Sequence, residues 1–177
     1  MNSSIDSLFT ITLPPAVRDE SAWYGTEIAE SADWIERLDE GEVAEIESAV
    51  RRVEESGVEL TKITPEDVPL PTLAPRLHTI LDEVVNGRGF VLVRSLPVER
   101  WTGRQAEVAF LTIGVHLGNL RMQNAEGHIL GHVKDLGRSS GDPNTRIYQT
   151  RERQTHHTDS CDVVALMCLQ KAKSGGL

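Results

Sequence analysis

The chain of 177 residues carries 18 Lys and Arg against 27 Asp and Glu, a net charge of −9, so a phosphate backbone would be repelled and nucleic-acid binding is not expected. No apolar run approaches the ~18 residues of a membrane span, and Met1-Asn-Ser-Ser-Ile-Asp lacks the basic and apolar regions of a secretory signal; a soluble, cytoplasmic protein is expected. The length fits one domain with a real core.

In chain order, Leu8-Phe-Thr-Ile-Thr-Leu13 alternates apolar residues with Thr until Pro14-Pro15, which suggests an edge strand or extended lead-in. Trp23 and Trp34 flank an acidic stretch and read as anchors on the core, or as the lining of a substrate entrance. From Asp39 to Gly57 the signals agree on a helix: Asp39 as N-cap, Glu in the first turns, Val43, Ile46, Val50 and Val53 at helical spacing, and Gly57 as terminator. Thr61 to Pro75, interrupted by prolines, reads as an irregular surface connection. Leu73, Leu77, Ile80, Leu81, Val84 and Val85 then mark a second amphipathic helix closed by Gly87. Gly89 to Arg94 follows as a short buried strand.

Thr102 with Gln105 forms a capping box for a helix to about His116, ended by Gly118; His116 is either a helix-end cation or a packed polar group. Gly127 to Lys134 reads as a strand holding His128 and His132. His-x3-His binds zinc on a helix, but Gly131, Ile129 and Val133 argue against a helix, and on a strand the two rings stand about 13 Å apart at ~3.3 Å per residue. No ligand cluster for a zinc hydrolase appears. Arg138 to Thr145 is a turn-rich loop, expected to be the flexible point, and Tyr148 to Thr155 leads on from it. Arg151, Arg153 and Gln154 would then lie near the mouth of a site, where basic residues either meet an anionic substrate or are solvated loop charges.

The stretch richest in chemistry is Gln154-Thr-His-His-Thr-Asp-Ser-Cys-Asp162. The apolar, β-branched run 162–170 predicts a buried strand, with His157-Thr158-Asp159 at or just before its start. Extended backbone alternates side chains, so His157 and Asp159 share a face and His156 and Thr158 turn away. One imidazole and one carboxylate make two thirds of a facial triad, with ligand atoms expected about 3 to 4 Å apart for metal bonds near 2.1 Å. Cys161 and Cys168 are seven residues apart, about 23 Å when extended, too far to bridge; they are expected reduced and buried.

His157-Thr-Asp-Ser-Cys-Asp-Val-Val-Ala-Leu166 followed by Lys171-Ala-Lys-Ser-Gly-Gly176 resembles the start of the catalytic core in the TauD/TfdA-like, clavaminate-synthase-like family of Fe(II)/2-oxoglutarate oxygenases. Ile113-Gly-Val-His-Leu-Gly118 and the segment Gln123 to Gly137 are similar to what precedes that motif in the family. The resemblance covers about residues 70 to 177. It implies an α+β fold, the N-terminal portion of a double-stranded β-helix (jelly roll) with flanking helices, as one incomplete domain over 1–177: an N-terminal extension at 1–70 and the start of the core at 71–177. It implies that His157 and Asp159 hold Fe(II), with 2-oxoglutarate as co-substrate and a small organic molecule as substrate. The second His ligand and the Arg for 2-oxoglutarate are expected beyond Leu177, as is the Ser or Thr that follows the family's Gly-Gly. His156 departs from the family, which often has an aromatic residue there; it competes for the metal or lines the opposite face. The chain is therefore expected to be an N-terminal piece without turnover of its own, the alternative being a non-catalytic remnant or interaction module. Strands at 89–94, 127–134 and 161–169 would have their partners in the missing half, leaving a marginal soluble protein.

Overall fold

A computed structural model describes residues 15–124, 127–139, 141, 145, 147–159 and 161–173. The lead-in expected at 8–13 and the Gly175-Gly176 pair lie outside them.

Helix α1 (Gly25–Glu30) leads to strand β1 (Ile35–Arg37), and helix α2 (Glu40–Ser56) follows at once. The start of α2 is determined locally: Asp39 Oδ1 accepts from the Glu42 backbone N–H at 2.9 Å while Glu42 Oε2 accepts from the Asp39 N–H at 2.9 Å, a reciprocal capping box. Gly57 ends the helix in the left-handed region at φ 67°, a conformation that costs a residue with a Cβ. A short 3₁₀ turn (Leu60–Lys62) begins the irregular connection, whose Ile63, Val68 and Leu70 are buried, so it is part of the core rather than a surface strap.

Helix α3 (Leu73–Asn86) has no capping side chain of its own. Glu45 of α2 takes that role across 27 residues, accepting from the Thr72 N–H at 3.0 Å and the Leu73 N–H at 3.1 Å. Strand β2 (Leu92–Arg94) runs parallel to β1 in a two-stranded sheet, with Ile35 opposite Leu92 and Arg37 opposite Arg94. The expected strand at 89–94 is thus present in its last three residues, but it is not buried: Leu92 and Arg94 are exposed and only Val93 is half-buried, because this two-stranded sheet lies at the edge of the core. Helix α4 (Gly103–Leu117) closes the core, N-capped by the Thr102 and Gln105 pair read from the sequence.

The apolar faces meet in one cluster: Val43, Ile46, Ala49, Val50 and Val53 of α2, Leu73, Leu77 and Ile80 of α3, Val108 and Ala109 of α4, and Leu38 after β1. Burying these side chains is the main stabilising term, about 1.5–3 kcal/mol for each large one before chain entropy is subtracted. Trp23 and Trp34 hold the first segment onto this body. Their rings stand 5.1 and 5.9 Å from that of Phe90, and Trp23 Nε1 donates to the Arg88 carbonyl at 3.1 Å. They are anchors.

One ionic group sits at the seam of three elements. Glu42 is 3 % exposed, and its carboxylate accepts from Arg76 Nη1 at 2.9 and 2.7 Å; Arg76 Nη2 donates to Glu36 of β1 and to the Arg37 carbonyl at 3.0 Å. The Glu36 bond first, and the Glu42 bond second, hold the Arg76 guanidinium above its usual pKa, so the pair stays charged wherever the carboxylates are ionised.

The later strands are a different matter. Among the described residues, 127–134 and 161–169 form no strand, and the only sheet is β1 with β2. A strand exists only through a neighbour that takes up its N–H and C=O groups, and among the described residues neither stretch is paired in a ladder. Val164, Leu166 and Leu169 are 52, 83 and 54 % exposed, and Cys161 and Cys168 are free and exposed rather than buried. The described structure is therefore a mixed helical body with a small parallel sheet. No helix in it is long and apolar enough to cross a membrane.

The capping box of α4 offers a small, separable test. Thr102→Ala removes the acceptor for the Gln105 N–H and is expected to lower stability by about 1 kcal/mol, read as a shift of the denaturant midpoint with an unchanged slope.

Candidate metal centre

The candidate residues lie in the chain that leaves the helical body after α4. Its path is pinned at two places: the Leu136 N–H donates to the Gln149 carbonyl at 2.8 Å, and Arg151 Nε lies 3.4 Å from Asp135 Oδ2. Beyond a 3₁₀ turn (Ile147–Gln149), residues 153–159 follow without regular structure and are all exposed. Within this segment His157 Nε2 comes to 3.9 Å from Asp159 Oδ1, with the two side chains about half exposed.

The hydrogen bonds of His157 decide which nitrogen is available. Nδ1 lies 2.9 Å from the Thr155 carbonyl oxygen, which can only accept, so Nδ1 carries the hydrogen. In the neutral ring Nε2 is then left with its lone pair, and that is the atom facing Asp159. The Gln154 side-chain amide nitrogen lies 3.1 Å from Nε2 and 3.4 Å from Nδ1, so it stands over the ring face rather than on either nitrogen's in-plane lone pair. Sequence reasoning put Gln154 only near the mouth of a site. A residue three positions before another falls on the opposite face of a regular strand, so the contact of Gln154 with His157 follows from backbone that is not a regular strand.

The donors suit a divalent ion of the Fe(II) type: a neutral imidazole nitrogen oriented by a backbone carbonyl, and a carboxylate oxygen. Neighbouring ligands of an octahedral site with ~2.1 Å bonds stand about 3 Å apart, so the pair must close by about 1 Å, a small rotation for exposed side chains. Among the described residues no group of three or more His, Cys, Asp or Glu converges in a way that could hold a metal.

The other histidines go elsewhere. His116 Nε2 lies 2.8 Å from the Val68 carbonyl and ties the end of α4 to the buried connection, the packed-polar reading. His132 Nε2 lies 3.4 Å from Glu107 of α4, whereas His128 Nδ1 lies 2.7 Å from the Asn124 amide; they share no centre. Arg151 faces Asp135, a solvated loop pair rather than a basic site mouth. Two clefts, of about 390 and 300 Å³, flank Glu47 and Arg100 beside α2, and no residue of the 153–159 segment lines either.

Comparison with known proteins bears on what this segment belongs to. The family described as taurine catabolism dioxygenase TauD, TfdA family matches residues 56–177. The chain is 32 % identical over 165 residues to FR-33289 synthase of Streptomyces rubellomurinus, covering 93 % of this chain and 49 % of that protein. It is 27 % identical over 182 residues to taurine hydroxylase-like protein SAT17 of Stachybotrys chartarum, covering 99 % of this chain and 47 % of that one. The chain thus spans about half the length of the curated relatives it matches.

Proposed function

Since the chain belongs to the taurine catabolism dioxygenase TauD, TfdA family, we propose that it is the part of an Fe(II)- and 2-oxoglutarate-dependent oxygenase that presents two metal ligands, His157 and Asp159. The observation that carries the reading is the 3.9 Å approach of His157 Nε2 to Asp159 Oδ1 inside the matched region. Residues 71–177 are the start of a jelly-roll core in this reading, and residues 1–70 an N-terminal extension with the helix Glu40–Ser56. The substrate is a small organic molecule, in keeping with a relative named as hydroxylase-like. A cytoplasmic location suits two exposed thiols that stay reduced.

Fe(II) held by His157 and Asp159 would supply oxygen activation coupled to decarboxylation of 2-oxoglutarate to succinate and carbon dioxide. What the chain itself does is positional. The Thr155 carbonyl holds the His157 ring with Nε2 unprotonated, and Asp159 places a negative oxygen beside it. The 153–159 segment, without regular structure, leaves both donor side chains about half exposed to solvent.

A second reading, binding without turnover, is favoured by the absence of a third converging donor among the described residues. One experiment separates the two: succinate formation from 2-oxoglutarate under anaerobically loaded Fe(II) and then air, for the wild-type protein and Asp159→Ala. Turnover that needs Asp159 supports the oxygenase; bound metal with no succinate supports the second reading; turnover indifferent to Asp159 overturns the ligand assignment.

A further inference from the structure

We propose that Asn86 is a site of spontaneous deamidation, held off by the last turn of α3 and opened when that turn frays. Asn86-Gly87 is the one Asn-Gly dipeptide in the chain, and Asn86 is the exposed last residue of α3. The reaction joins the Gly87 backbone nitrogen to Asn86 Cγ; the Cγ–Nδ2 bond breaks, and the proton that the nitrogen loses is balanced by the one that departing ammonia takes. Water then opens the cyclic imide at either carbonyl and leaves Asp or isoaspartate at 86. Glycine on the C-terminal side gives that nitrogen no side chain to shield it. A bulkier residue does not fit there: a Cβ at Gly87 would stand 2.6 Å from Glu83 Oε2 and 3.0 Å from the Glu83 carbonyl oxygen. The residue that makes Asn86 reactive is thus fixed by packing.

Two contacts hold the reacting atoms apart. The Gly87 N–H donates to the Glu83 carbonyl at 3.1 Å, so the nitrogen that must attack still belongs to the helix ladder. Asn86 Nδ2 donates to Asp82 Oδ1 at 2.7 Å, which draws the side chain back toward the helix N-terminus while the Gly87 nitrogen lies on the other side. Each such bond lowers the open population by a factor of about two to ten, and helix ends open at the smallest cost in a fold. The contacts therefore slow the reaction without abolishing it. What forms is worse placed than what it replaces. A carboxylate at 86 faces Asp82 one turn away and lies at the negative end of the helix, and both are unfavourable. The same turn supports Arg88, whose N–H donates to Glu83 Oε1 at 3.3 Å and whose carbonyl accepts from Trp23 Nε1 at 3.1 Å. Deamidation thus loosens the hold on the first segment.

The test ages the wild-type protein and Asp82→Ala in mildly alkaline buffer, folded and in urea, and follows conversion at Asn86 by mass spectrometry of the digested chain. Folded wild type is expected to convert about ten- to a hundredfold more slowly than in urea. Folded Asp82→Ala is expected to convert about two- to tenfold faster than folded wild type, with equal rates for the two in urea. Equal rates folded and unfolded overturn the proposal, as do a folded protein that stays unconverted throughout, an Asn86 that does not react even in urea, and an Asp82→Ala variant no faster than wild type. The consequence is read separately, by hydrogen exchange of the Gly87 and Gly89 amides, both donated to the Glu83 carbonyl. Faster exchange in Asn86→Asp than in Asn86→Ala is expected; equal exchange in the two overturns the loosening by charge.

Discussion

Asp159→Ala is expected to weaken divalent-ion binding by more than the 10–100-fold that loss of a mere outer-shell partner costs. The carboxylate is half of the donor pair seen in the described residues, and its charge is the attraction that offsets removing water from the ion. His157→Ala is expected to have an effect of the same order, whereas His156→Ala is expected to leave affinity within about twofold, because extended backbone carries neighbouring side chains to opposite faces. Titration of Mn(II) into the three variants, with Asp159→Asn added, checks this. Asn keeps the shape and an oxygen but removes the charge, so an Asn variant that binds like wild type would sink the electrostatic part of the argument. A His156 variant as damaged as His157→Ala would reassign the ligand.

The second large effect lies in the helical body. Arg76→Met is expected to lower stability by about 2–4 kcal/mol, below the 3–5 of a fully buried broken pair because the Arg76 side chain is 32 % exposed. For a protein of this size that is a fall in melting temperature of about 5–15 °C. The cost comes from what is left behind: Glu42, almost without solvent, keeps only the Asp39 N–H as partner. Combining Arg76→Met with Glu42→Gln is therefore expected to be milder than Arg76→Met alone. The amide still accepts from Asp39 but brings no unpaired charge. Thermal melts of both variants decide the matter; a double variant as unstable as, or less stable than, the single one would show that the loss comes from Arg76 packing and not from a stranded carboxylate.

These two regions differ in how much of them could be read from residues alone. The ends of α2 and α4 were legible because a capping box is a bargain between residues three apart, complete before anything else folds. The buried face of α2 was legible because helical spacing repeats the same core-facing stripe; on α3 the same spacing named Leu73, Leu77 and Ile80, which are buried, but also Val85, which is 57 % exposed. What closes α3 was not. Its N-terminal donors are met by Glu45, a residue that the sequence shows only as one more charge on a helix. Glu42 likewise reads as first-turn acid, yet it is buried because Arg76 arrives from another helix to pair with it.

For the candidate centre, residue types and spacing by themselves pointed to His157 and Asp159, and a segment without regular structure brings their ligand atoms to 3.9 Å. Tertiary structure decided the rest. The run 161–169 has the apolar, β-branched composition of a strand but stands exposed, since a strand is a relation between two segments and composition supplies only one of them. Its two cysteines are exposed for the same reason. The choice of ring nitrogen at His157, made by the Thr155 carbonyl, is a matter of local backbone direction over a few ångströms, which residue identity does not encode.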